Sequence, residues 1–178
     1  MKKYILGLFL LLFAVTPAFA KPQGAIYVNA SSNIDLQPDV VEFNVIIKTT
    51  DKHSLENASI ANKEISVKIL HDFNTLLDKE HGDYIKTANY SANPTYHYNN
   101  GKQVFDNYEV VNTLMVHTKK ITDVGIFIDK ALSLGATNIG SINFTLEDYN
   151  SYCNDLLAVA TKRAKAKAEA VAAASGQS

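Results

Sequence analysis

Residues 84–118 read YIKTANYSANPTYHYNNGKQVFDNYEVVNTLMVHT. Two strand-like runs, Tyr84 to Tyr98 and Val104 to Thr118, flank Asn99-Asn100-Gly101. An Asn-Gly pair accepts the positive φ angles of a tight turn, so the stretch predicts an antiparallel hairpin. Pro94 has no N–H to give to a ladder, which puts the first of these strands at a sheet edge or at a bend.

Working outward from the hairpin, Leu55, Ala58, Ala61, Ile65, Ile69, Phe73 and Leu76 recur at spacings of three and four. They predict a long amphipathic helix, capped by Asp51 or Ser54 and ending near His81-Gly82. A stripe of that size would aggregate if left in water, and the flanking strands are its natural cover. Before it, Val41, Phe43, Val45 and Ile47 alternate with Glu42, Asn44 and Lys48, the pattern of a strand with one buried face; Ile46 breaks the alternation. Ala25 to Leu36 is also strand-like, though interrupted at Ser31-Ser32-Asn33, and Gln37-Pro38-Asp39 supplies a turn.

Downstream, Thr122 is placed to cap a short helix whose buried side carries Val124, Phe127, Ile128, Ala131 and Leu132, with Gly135 as its left-handed stop. Ile142, Phe144 and Leu146 then alternate as a strand. A final helix starts at Asp148 or Asn150, runs to about Ser175 and stops at Gly176. It is dense in alanine and presents Leu157, Ala160, Ala164, Ala168 and Val171 along one side. The class is α+β, with sheet strands packed by two long helices and one short one.

The chain has 178 residues, 47% of them hydrophobic, with 17 basic and 18 acidic residues and one cysteine. These values describe an ordinary globular domain and exclude a disordered tail or a disulfide scaffold. Residues 1–20 read as a secretory leader: Lys2 and Lys3, an apolar run from Ile5 to Val15, and a small-x-small site at Ala18-Phe19-Ala20. The run is shorter than the roughly 20 residues a membrane span needs, so the expectation is cleavage near Ala20, no stable membrane anchor, and a periplasmic or secreted product. Beyond residue 20 the balance is 15 basic to 18 acidic, a formal charge of −3, which phosphate backbones repel. Lys162, Arg163, Lys165 and Lys167 spread around the last helix and read as a solvated face, so no nucleic-acid partner is expected.

Cys153 is alone, which excludes an internal disulfide and a dithiol redox cycle; it reads as a half-buried structural thiol at a helix start, ahead of an intermolecular bridge and of a catalytic thiol. His53, His71, His81, His97 and His117 include no pair at helical or finger-type ligand spacing, and no metal or other cofactor is expected. Phosphate-cradling glycine loops and the Gly-x-Ser-x-Gly elbow are absent, and Glu147-Asp148 suits a helix entrance, so no catalytic site is assigned. The unusual cluster is Tyr90, Tyr96, Tyr98 and Tyr108, with His97 and Phe105 between. Tyr96 and Tyr98 share one strand face, and the cluster serves either cross-strand pairing or a partner interface.

Several stretches, taken in order, resemble the SIMPL-domain family of secreted bacterial proteins. They are Leu36-Gln37-Pro38-Asp39 before the alternating strand, Lys86-Thr87 with Tyr90, Pro94, Tyr96 and Tyr98, and Tyr108 through Val116. The likeness continues through Val124-Gly125, Ile128-Asp129, Ala131 and Gly135-Ala136, then Ile142, Phe144 and Leu146, and the alanine-rich helix ending at Ser175-Gly176. It spans residues 21–178 almost entirely. The resemblance implies two interleaved α/β subdomains, the inner one at about residues 84–147, and a homo-oligomer, ring-like or channel-like in some members. Family members continue past the alanine-rich helix, so the domain is expected to be incomplete at its C-terminus. The resulting expectation is a periplasmic, non-enzymatic, self-assembling protein that supports envelope or oxidative-stress defence. The rivals are a small-ligand or metal-binding protein using the tyrosine hairpin and a nearby cleft, and an enzyme with a dispersed site.

Overall fold

A computed structural model of the chain describes residues 25–176. The leader read at residues 1–20 lies outside them. In chain order the elements are β1 (Val40–Asp51), α1 (Leu55–Leu76), β2 (Tyr84–Asn99), β3 (Lys102–Thr118), α2 (Val124–Ser133), β4 (Asn138–Thr145) and α3 (Tyr149–Ala174). The strands form one antiparallel sheet in the order β2-β3-β1-β4, so β1 is inserted between strands of the 84–147 region. Two compact units divide the described residues, one of 32–158 and one of 25–31 with 159–176.

Within the first unit, Val41, Phe43, Val45 and Ile47 of β1 all turn to one face, joined there by Leu114 and Val116 of β3. Ile69 and Phe73 of α1 and Phe127 and Ala131 of α2 cover that face, and all of these side chains are at most 1% exposed. Phe127 packs edge-on to Phe73 at 5.2 Å and lies 6.2 Å from Phe43, so the short helix is pinned to both sheet and long helix by aromatic contact. Ser54 caps α1: it is extended, and its hydroxyl accepts from Asn57 N at 3.2 Å. Asp51 serves the same turn, its carboxylate accepting from His53 N and Ser54 N, which holds its pKa below the ordinary value. Asn100 and Gly101 both have positive φ (49° and 77°), which makes the two-residue turn of the hairpin. Pro94 sits in β2, which pairs only with β3 and is a sheet edge.

Three local readings change. Residues 25–39 contain no strand; the first ladder contact is Asp39 N to Thr145 O, so Ala25–Leu36 is strand-like in composition but has no ladder partner. Thr122 is not a cap: it lies in a 3-10 turn, Ile121–Asp123, its hydroxyl donates to Asp123 Oδ1, and α2 starts without a side-chain cap. Leu132 is 47% exposed, because α2 buries only a narrow stripe through Phe127 and Ala131.

The buried stripe of α1 is also rotated from its apolar period. Ala58, Asn62, Ser66, Ile69 and Phe73 are buried while Ala61 is exposed. In the second unit, Arg163 Nη1 donates to Ser31 O (3.0 Å) and Lys167 Nζ to Asn29 O (3.1 Å). These two cations of the basic helix face therefore tether backbone carbonyls at positions 31 and 29.

Candidate functional site

β2 and β3 are longer than the strand beside them. The last β1 partner of β3 is Tyr108, opposite Asp51, so residues 95–107 continue as a two-stranded arm. Along the hairpin Tyr90 faces Asn112, Pro94 faces Tyr108, Tyr96 faces Phe105 and Tyr98 faces Gln103. Strand residues alternate between faces, and β3 contributes one extra residue, Asp106, between Thr95/Asn107 and Tyr96/Phe105. That bulge restores the phase, so Tyr90, Tyr96, Tyr98 and Tyr108 all fall on one face together with Phe105. Phe105 touches both Tyr96 (5.9 Å, edge-on) and Tyr108 (5.1 Å, tilted).

This aromatic row is open to solvent at its outer end. Tyr96 is 51% exposed, Tyr98 76%, and Phe105 and Val104 40% each. Tyr108 is half-buried at the root, and Tyr90 is drawn off to α1 by a hydrogen bond between its hydroxyl and Ser59 Oγ at 3.1 Å. The four tyrosines therefore separate into a root pair held against the body and an outer pair, Tyr96 and Tyr98, with rings in water. Thr95 stiffens the root by donating to Asn107.

A second polar cluster lies on the other face of the sheet. His117 accepts or donates at both ring nitrogens, Nδ1 to Glu42 Oε1 and Nε2 to Glu147 Oε2, each 2.9 Å away. Its ring stacks on Tyr84 at 4.7 Å, and Lys86 Nζ lies over the Tyr84 ring. Both ring nitrogens are thus engaged by carboxylates of the chain itself, an arrangement that fixes the ring in place. The cluster ties β1, β2 and β3 to the turn before α3. Glu147 N also donates to Asp39 Oδ1, so this residue latches a turn as well as standing at a helix entrance. Among the described residues no group of three or more His, Cys, Asp or Glu side chains is placed to hold a metal ion.

Cys153 is half-buried and lines a small cavity with Ile34, Leu36, Leu146, Tyr152 and Leu156. Its hydrogen bond to Tyr149, followed by its charge, raises the Tyr149 pKa. Its neighbours in that cavity are mostly apolar, which fits a packing role. No helix among the described residues is long and apolar enough to cross a membrane.

These features define a class: an α+β protein with, among the described residues, one open antiparallel sheet and an aromatic hairpin that runs past the neighbouring strand. The chain belongs to the SIMPL family, described as proteins of unknown function (DUF541), whose sequence profile matches residues 26–178. It is similar to "Uncharacterized protein YggE" of Escherichia coli K12, 22% identical over 128 residues, covering 71% of this chain and 50% of that protein. It is also similar to the "26 kDa periplasmic immunogenic protein" of Brucella melitensis, 28% identical over 171 residues, covering 90% of this chain and 67% of that one. The chain thus spans half the length of the first relative and two thirds of the second.

Proposed function

We propose that the chain is a periplasmic, non-enzymatic protein that assembles with copies of itself through the outer hairpin and supports envelope or oxidative-stress tolerance. The observation that carries this reading is the arm beyond Tyr108, two strands to which no third strand among the described residues is paired, with an exposed aromatic face. Isolated two-stranded ribbons are marginal in water, so a partner surface supplies what the sheet does not. Export is supported by the leader pattern at residues 1–20 and by the name of the Brucella relative. The stress role rests on family resemblance. The non-enzymatic reading rests on the sequence, which carries no Gly-x-Ser-x-Gly elbow, no phosphate-cradling glycine loop and no histidines at ligand spacing.

Taking about 200 Å² for a full aromatic side chain, the exposed parts of Tyr96, Tyr98 and Phe105 offer roughly 300 Å² per copy. A standard interface buries about 800 Å² per partner, so the row is its centre and the open edge of β2 supplies further contact. The test is a light-scattering mass of the complete chain, with the double variant Tyr96→Ser, Tyr98→Ser beside it. The expected result is a multiple of the monomer mass that collapses to the monomer in the variant. A monomeric wild-type chain at micromolar concentration overturns the reading.

A further inference from the structure

Three polar side chains run in file between α1 and the sheet. Asn62, 1% exposed, donates from its amide nitrogen to Ile47 O at 2.9 Å and Val110 O at 3.2 Å. Both amide protons are then used, and its Oδ1 can only accept. Ser66 gives its single hydroxyl proton to that oxygen at 3.3 Å, which leaves Ser66 Oγ only lone pairs. Asn112 accordingly meets Ser66 with its NH₂ group, at 2.9 Å. Two backbone carbonyls at the inner end thus fix the direction of the whole file, and its outer end must be an acceptor, Asn112 Oδ1. No donor among the described residues reaches that oxygen, although Asn112 is 7% exposed. Buried polar atoms are partnered in the great majority of cases, so this one asks for a donor.

Asn112 lines a cavity of about 420 Å³ between α1 and the β2 edge, within the size range of small-molecule sites. Ile60, Val67 and Leu70 make its wall on α1 apolar, and Ser59 and Tyr90 link α1 to β2 there by their 3.1 Å hydrogen bond. One carboxylate, Glu56, and one ammonium, Lys63, also line it, so the site carries no net charge. Ile60 and Val67 are 50% and 54% exposed, large apolar side chains left in water on the helix that flanks the cavity.

We propose that this cavity binds a small uncharged molecule with an apolar body and a hydrogen-bond donor, a hydroxyl or amide N–H, which Asn112 Oδ1 receives. Oδ1 is out of solvent contact, so a donor reaches it only when the side chains lining the cavity shift. The site is separate from the outer hairpin, and neither proposal needs the other.

The test is a nuclear magnetic resonance titration of the complete chain with cyclohexanol and with methoxycyclohexane, which keeps the apolar ring and loses the donor. The alcohol is expected to shift the Asn112 side-chain amide and the Tyr90 ring signals at millimolar concentration, with the ether about tenfold weaker. Asn112→Leu should bring the two probes to equal affinity. Val67→Asp, at a half-exposed helix position that the fold does not depend on, should weaken both by at least about tenfold. If Asn112→Leu does not fold, the alcohol-to-ether ratio in the wild type and the Val67→Asp loss still decide. Equal affinity of the two probes in the wild type would mean that water alone serves Asn112 and overturns the proposal. So would shifts that avoid the cavity, or signals there that depend on protein concentration and betray a second copy as the occupant. A light-scattering mass taken on the same sample separates the two proposals, since a monomer that binds the alcohol refutes assembly and leaves the cavity standing.

Discussion

Replacing Asp83 should cost more than any other single polar substitution in the first unit. Asp83 stands just before β2 and is 3% exposed. Its carboxylate accepts from Thr118 Oγ1 at 2.7 Å, Lys119 N at 2.9 Å and Asp78 N at 3.0 Å, so it staples the end of β3 to the turn after α1. Asp83→Ala strands three donors around a hole. The two backbone N–H groups are part-buried and recover some hydration, while Thr118 is fully buried and its oxygen already accepts from Lys120 N. At about 1–3 kcal/mol for each buried donor left unsatisfied, the expected loss is roughly 3–4 kcal/mol, a large part of the 5–15 kcal/mol typical of a domain. Asp83→Asn keeps the shape but turns an NH₂ toward a donor, and should cost about 2 kcal/mol.

The charge gives that loss a pH signature. Burial pushes the Asp83 pKa up, but the bonds from Thr118, Lys119 and Asp78, aided by the nearby Lys120 charge, outweigh it and hold the pKa below the ordinary aspartate value. A carboxylate whose folded pKa is depressed contributes stability that is present above its unfolded pKa, about 3.9, and lost as pH falls through the folded value. The gap between wild type and Asp83→Asn should therefore be widest near neutral pH and shrink below about pH 4. Asp51, Asp72 and Asp78 also have lowered pKa values, through bonds from the His53 backbone N–H, the Lys130 side chain and the His81 side chain respectively, but both chains keep them and they cancel in the difference. Urea unfolding followed by circular dichroism at neutral and strongly acidic pH measures it. A loss under about 0.5 kcal/mol for Asp83→Ala, or a gap that does not change with pH, would refute the reasoning.

Phe127→Ala removes the ring wedged between Phe43 and Phe73 and should destabilise the first unit by about 3–5 kcal/mol in urea unfolding. Gly135→Ala should cost about 2 kcal/mol, because φ is +107° there and the added Cβ would lie 3.3 Å from Ile65 Cδ1; Gly101→Ala, with φ +77° and open space around it, should cost only about 1 kcal/mol, and the thermal midpoints should rank in that order. Asn62→Ala should cost about 2–3 kcal/mol, since Ile47 O and Val110 O lose a donor under α1, with slower-exchanging amides in β1 becoming faster by hydrogen exchange.

Local periodicity is a sound guide wherever one face of an element is uniformly apolar. β1 is such a case, and so are the Asn100-Gly101 turn and the Gly135 stop, whose backbone angles only a few residue types tolerate. The same logic fails in the first half of α1. Asn62 and Ser66 look like solvent-facing residues, yet they are buried because the sheet beneath offers two carbonyls and an asparagine to meet them. Polar residues become interior only through partners distant in sequence, and spacing carries no record of such partners. Leu132 and Ala25–Leu36 err the other way, being apolar or strand-like segments for which the fold supplies too little cover.

The candidate surface divides along the same line. That the tyrosines crowd one hairpin, and that Tyr96 and Tyr98 share a face, follows from a two-residue alternation that needs no coordinates. That Phe105 and Tyr108 join that face depends on the bulge at Asp106, and that the row hangs beyond the sheet depends on where β1 ends. The amino-acid order by itself determined the hairpin, the helices, the Ser54 cap of α1 and the charge balance, because these depend on neighbours within a few residues. Strand order, the unsatisfied oxygen of Asn112 and the unsupported arm were decided only by tertiary structure, because each depends on which distant segment arrives alongside, and on where it stops.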